Sequence, residues 1–315
     1  MKLDSLLGAL FVSLMLLTGC AHEVSTRTYK ADTEVAFVEA NGLRFAYLAA
    51  GDPADPLILL MHGFPDTPHA WDGMREALAK PGYYVVSPYL RGYAPSEIPS
   101  EDAFDSQTLG RDVLGLIAAF GKQDADIVGH DWGAMSVYAA AALEPKRIRR
   151  MVALVIPHPA TLKIRLRDLR RARHFTALRR RRAAKRFARD DLGGVDELYA
   201  RWSPTWKFEA SQLEDVKNSF TAEGSLDAAL GYYRVLKFKT PAFLKVKTQV
   251  PALVIAGLDD GTTPLDAFDN SSGFAAPMRL EKLPTGHFPH RERPDLVLPL
   301  LLEFLAPQGT ATTPP

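Results

Sequence analysis

One loop of this chain combines residue types that could do covalent chemistry. Ile127-Val128-Gly129-His130-Asp131-Trp132-Gly133 lies between a short apolar run and a helical pattern. It fits glycine-x-nucleophile-x-glycine, a turn whose flanking glycines permit a strained backbone and lift the central side chain above a sheet. The central residue is Asp131, and no G-x-S-x-G occurs in the chain, so a serine nucleophile has no such turn to occupy. A carboxylate is already ionised near neutral pH and needs no activating base. Attack on an ester carbonyl would give an unproductive anhydride. Attack at an sp3 carbon bearing a leaving oxygen or halide gives an alkyl ester that water can cleave.

Cleaving that ester takes a base, an acid to orient it and oxyanion donors. The base candidate is His287 in Pro284-Thr-Gly-His-Phe-Pro-His-Arg-Glu-Arg-Pro294, a loop after a strand and before the last helix; its competitor, His290, falls at the start of the helix. The acid is Asp260 or Asp259 in Gly257-Leu-Asp-Asp-Gly261. That string also fits G-x-D-x-G, but a histidine follows 27 residues later with no acid-bearing loop between, so it reads better as the acid loop. Nucleophile, acid, base is then the chain order of a hydrolase of this arrangement. His62-Gly63-Phe64-Pro65 ends the first buried strand, and the backbone N–H groups of Phe64 and Trp132 would form the oxyanion hole, with Pro65 fixing the loop. Any one of these strings alone is a turn. Four in this order, each after a buried strand, are improbable as coincidence.

The elements that must position these loops are legible. Val35 to Ala49 reads as two strands around an Asn41-Gly42 turn. Pro56–Met61, Tyr83–Ser87, Ala125–Val128, Met151–Ile156 and Pro251–Ala256 are short apolar runs, as in strands buried on both faces of a parallel sheet. Helical patterns separate them at Trp71–Ala79, Ser106–Phe120, Trp132–Leu143 and Arg293–Leu305. The alternation predicts a doubly wound α/β sheet. It stops near Pro157 and resumes at Val250, so residues 159–240 are expected to form an inserted helical cap over the carboxyl edge of the sheet. The core is then 34–158 and 241–306, and 307–315 is a frayed polar tail.

The chain has 315 residues, 47% hydrophobic and 24% charged, which excludes disorder, collagen and coiled coil. Its one cysteine, Cys20, excludes an intramolecular disulfide and multi-cysteine metal scaffolds. No metal or cofactor is expected, because the eight histidines show no ligand spacing with acids. Net charge is +1, yet Lys163 to Arg189 holds 13 Lys/Arg against one acid, Asp168. Leu6 to Leu17 is too short to cross a bilayer and fits a signal-peptide core. Leu17-Thr-Gly-Cys20 resembles a bacterial lipobox, which implies a leader over 1–19, lipidation at Cys20, a tether over 20–33 and, with Ala21 next, an outer-membrane address in the cell envelope. The basic stretch would then lie near anionic headgroups. Nucleic acid is not an expected partner.

The strings HGFP, LRGYAPS (Leu90–Ser96), GHDWG and GHFPHRERP resemble the epoxide hydrolase and haloalkane dehalogenase branch of the α/β-hydrolase superfamily, over roughly Phe37 to Ala306. The resemblance implies a mostly parallel eight-stranded sheet with a helical cap, nucleophile Asp131, base His287, and Asp260 as acid, since Pro264 follows it by four. It implies a pocket bordered by His62, Pro65 and Trp202, and a small apolar epoxide or haloalkane as substrate. An epoxide oxygen needs a proton donor as the ring opens. Gly231-Tyr-Tyr-Arg234 resembles the family's cap segment carrying that donor, which implies Tyr233, and Arg173-His-Phe-Thr176 resembles the segment of a second donor, which makes His174 its candidate. A halide would want two N–H donors. Trp132 supplies one, Phe64 cannot supply another, and Trp202 or Trp206 could. Trp132 and Met135 stand where haloacid enzymes carry arginine, which disfavours haloacids. A non-catalytic binding protein on this fold is the other alternative.

Overall fold

The structure, a computed structural model of the chain, describes residues 26–28, 34–100, 103–161, 166–237, 239–275 and 277–306. Cys20, the leader and the polar tail lie outside them. The strands are β1 (Thr26–Thr28), β2 (Glu34–Ala40), β3 (Leu43–Ala50), β4 (Leu57–Met61), β5 (Tyr84–Pro88), β6 (Ala125–His130), β7 (Ile148–Leu154), β8 (Ala252–Gly257) and β9 (Met278–Leu283). They form one sheet in the order β1-β2-β3-β5-β4-β6-β7-β8-β9. From β5 to β9 every pairing is parallel, while β1, β2 and β3 join antiparallel at one side. The eight expected strands are present, and a ninth, β1, arises inside the segment read as a tether by pairing with β2. Asn41 and Gly42 both have positive φ, as the hairpin turn requires.

The helices are α1 (Asp72–Ala79), α2 (Ser106–Ala119), α3 (Trp132–Leu143), α4 (Leu169–Leu178), α5 (Ala183–Phe187), α6 (Arg189–Trp202), α7 (Glu214–Thr221), α8 (Ser225–Val235), α9 (Pro289–Glu292) and α10 (Pro294–Leu305). Successive strand residues face opposite sides. Ile58, Leu60, Val128, Val152 and Leu253 therefore pack toward α1 and α10, with Met74, Leu78, Val297 and Leu301. Leu57, Leu59, Ile127, Met151 and Ala153 pack toward α2 and α3, with Leu109, Val113 and Val137. Both faces are covered, which is why these strands read as unbroken apolar runs. Between β7 and β8 the described elements are all helical, and their packed residues (Leu178, Phe187, Val195, Leu198, Trp202, Leu230) continue the α2/α3-side core.

Candidate active site

Asp131 stands at the bend between β6 and α3 with φ 51° and ψ −115°, a conformation costly for a residue with a Cβ. The flanking glycines make the bend possible. A Cβ at Gly133 would lie 2.1 Å from the Met61 carbonyl oxygen, and one at Gly129 would lie 2.3 Å from the oxygen of Gly133. The loop after β4 closes over the bend, and the Phe64 N–H donates to Asp131 Oδ1 at 2.9 Å. The Trp132 N–H, at the first position of α3, makes no bond to that carboxylate.

His287 is fully buried and sits between two carboxylates. Its Nδ1–H donates to Asp260 Oδ2 at 2.9 Å, and its Nε2 lies 3.5 Å from Asp131 Oδ2, beyond a good hydrogen bond. Burial alone would favour the neutral ring, but the charges of Asp260 and Asp131 overcome it and raise the pKa to about 10. Asp260 is locked by a turn: its Oδ1 accepts from Thr262 N at 2.6 Å, Thr262 Oγ1 at 2.8 Å and Thr263 N at 3.1 Å. Asp259, the alternative acid, points to solvent.

A cavity of about 650 Å3 opens beside these groups, within the usual size for a small-molecule site. Asp131, Trp132, His174, Trp202, Tyr233 and His287 all line it. Tyr233 is 1% exposed, and burial, then the charge of Asp131, hold its phenol well above its ordinary pKa, so it remains an O–H donor. The Trp132 indole N–H works in the opposite direction from close by, without reaching hydrogen-bond geometry, and Trp132 Nε1 has no partner among the described residues.

Three expectations need correction. His62 does not line the cavity: its Nδ1–H donates to the Gly63 carbonyl at 3.0 Å and its Nε2 accepts from Leu90 N at 3.0 Å, turning the ring toward the loop after β5. Pro65 is buried in its own loop and does not line the cavity either. His174 does line it, but as an acceptor. Its Nδ1–H is committed to the Arg171 carbonyl at 2.7 Å, and burial lowers its pKa to about 4, so a neutral ring offers the cavity only a lone pair on Nε2.

Several residues that matter here escaped the sequence reading. Ser203 Oγ accepts from His287 N at 2.8 Å and Phe288 N at 3.2 Å and donates to Glu292 at 2.5 Å. Glu292 in turn accepts from Gly286 N at 2.9 Å. The Trp202 carbonyl accepts from both Gly261 N, in the acid loop, and His287 N, in the base loop. Thr262 alone had a local signal, an Asx turn two residues past Asp260. Behind the base, Asp66 pairs with Arg291 at 2.6 Å, and His290, stacked on Trp71, lies 3.3 Å from Asp66. His290 is thus a buried support facing away from the cavity. The Arg291 charge holds Asp66 below the usual carboxylate range although burial opposes it.

A family model described as alpha/beta hydrolase fold matches residues 56–294. Epoxide hydrolase A of Mycobacterium tuberculosis is 31% identical over 310 residues, covering 85% of this chain and 96% of that protein. The AB hydrolase superfamily protein YfhM of Bacillus subtilis is 27% identical, covering 86% and 98%. Among solved structures, Epoxide Hydrolase A from Mycobacterium thermoresistibile superposes with a TM-score of 0.74 at 26% identity, covering 90% of this chain and 98% of that one.

Proposed function

The chain belongs to the α/β-hydrolase family and is a hydrolase, and from that premise we propose that it opens small apolar epoxides to vicinal diols through an ester on Asp131. The observation that carries this reading is the Asp131 carboxylate at the cavity wall, gripped by the Phe64 N–H on one oxygen and facing His287 with the other. In the first step an Asp131 oxygen attacks an epoxide carbon, the C–O bond breaks and Tyr233 protonates the departing oxygen. The proton is restored to the phenol from the His287 imidazolium, which is left neutral. In the second step neutral His287 takes a proton from water, and the hydroxide adds to the ester carbonyl. The resulting oxyanion is held at the Phe64 N–H, aided by the N–H of Trp132. Collapse releases the diol and regenerates both the carboxylate and the imidazolium.

Mass spectrometry of His287→Gln protein given an epoxide panel tests this. An alkyl adduct on Asp131, with diol formed by the unaltered chain, is expected. Halide release from haloalkanes without diol formation would favour the dehalogenase alternative, which the Trp132 indole N–H, without a partner among the described residues, and the presence of Trp202 on the cavity support. No adduct from either class would favour a binding protein. We also propose that the mature chain is lipid-anchored at Cys20 in the bacterial envelope, at the outer membrane. The Leu17-Thr-Gly-Cys20 order supports it. Metabolic fatty-acid labelling that persists in Cys20→Ser protein would overturn it.

A further inference from the structure

The helical insertion carries a surface that this chemistry does not use. Helix α4 turns His174 and Leu178 inward, and His174 is part of the cavity wall along with Ala172 and Phe175. At roughly 100° per residue, the side of α4 opposite His174 and Leu178 presents Leu169, then Arg173 and Thr176, all exposed. Leu169 is 55% exposed, and Leu166, one turn earlier, is 88% exposed. A single exposed leucine is ordinary. Two on one stripe, beside exposed arginines, are not.

Arg170, Arg173, Arg180, Arg181, Arg182 and Arg186 are exposed and make no ion pair among the described residues. Asp168, the one acid in the stretch from Lys163 to Arg189, is buried. The crowding is felt at Arg201, whose guanidinium is lowered first by burial and then by the charges of Arg173 and Arg186. Arg167, next to Leu166, is paired with Asp266, but the six unpaired arginines leave the surface with excess positive charge, and the two leucines have no apolar cover. Nucleic acid would supply the charge but nothing for the leucines. A bilayer bearing anionic lipids supplies phosphates at one depth and acyl chains just below.

We propose that this face of the insertion docks on an anionic lipid surface, with Leu166 and Leu169 entering the headgroup–acyl boundary and the arginines on the phosphates. Because α4 also walls the cavity, docking sets the cavity one helix diameter, about 10 Å, from the lipid. Apolar substrates then reach it from the bilayer.

The test uses the full chain with Cys20→Ser, Leu169→Cys and an environment-sensitive fluorophore on that cysteine. Phosphatidylcholine vesicles with and without phosphatidylglycerol are the probe, in low salt. A blue shift is expected only with phosphatidylglycerol, and none from a label at Lys146→Cys, beyond the amino end of β7. Changing Arg170, Arg173 and Arg186 to Gln is expected to weaken partitioning on the order of a hundredfold, about fivefold per charge. A label at 169 that stays water-like on phosphatidylglycerol vesicles overturns the proposal, as does partitioning indifferent to the three arginines or a larger shift with single-stranded DNA. Neither readout needs turnover, so the result stands whether or not Asp131 is alkylated.

Discussion

Replacing Asp131 with Asn removes one of the two negative charges that keep a proton on His287. With 3.5 Å between Nε2 and Oδ2, the lost attraction is roughly 5 kcal/mol at an effective dielectric of about 20, or ~3.5 pK units. Asp260 remains, so the ring is expected to titrate near ~7 in the variant instead of about 10. Histidine-selective NMR across the neutral and alkaline range reads this directly. Stability follows with a fixed sign: a folded-state pKa above the unfolded value of 6.5 means that the His287 contribution is complete below 6.5 and is lost as pH rises toward 10. That loss is on the order of a few kcal/mol, and in Asp131→Asn the window closes near ~7, so the alkaline decline should flatten. Asn is neutral, as is an alkyl ester at the same position, so the variant also reports what the ring does in the intermediate. Alkylation turns an imidazolium into a base just when water must be activated. Unaltered protein whose His287 is already neutral at neutral pH, or equal titration in both proteins, would refute the reasoning.

Ser203→Ala removes one of two acceptors from each of the backbone N–H groups of His287 and Phe288 and one donor from Glu292, costing about 0.5–1.5 kcal/mol in denaturant unfolding. It should lower kcat roughly tenfold to a hundredfold with KM nearly unchanged, because the base is misplaced and the pocket is not; an unmoved His287 titration in this variant would contradict that explanation. Tyr233→Phe should reduce kcat on epoxides by about a hundredfold by removing the phenol donor. His174→Phe should change it little, and His174→Tyr should raise it by supplying a second O–H. A loss in His174→Phe as deep as that in Tyr233→Phe would show that the ring is a donor after all.

What was legible and what was not divides by range. Asp131 stood out because it follows an apolar run and sits between two glycines, and His287 because of its Gly-His-Phe-Pro loop after a strand; the choice of Asp260 over Asp259 came from the family resemblance. The direction of a side chain is not written in such strings: His62 stands in the same loop as Phe64, yet its ring is claimed by the Leu90 N–H. Ser203 and Glu292 are 89 residues apart and meet only once the insertion is seated on the core, so neither had a local signature. Which nitrogen of His174 carries the proton was likewise set by a carbonyl one turn back, a contact that exists only in the helix. Strand β1 is three residues long, below the length at which alternation can be read.

The carbonyl of Trp202 and the hydroxyl of Ser203 also limit how this molecule could be re-engineered. Specificity in a scaffold of this kind is an obvious target for grafting one helical insertion in place of another. Here the insertion itself carries the dipeptide that fastens two loops of the recipient. A chimera would have to import its new helices while keeping Trp202, Ser203 and Glu292 as a matched set, or the recipient would lose its general base together with its former substrate.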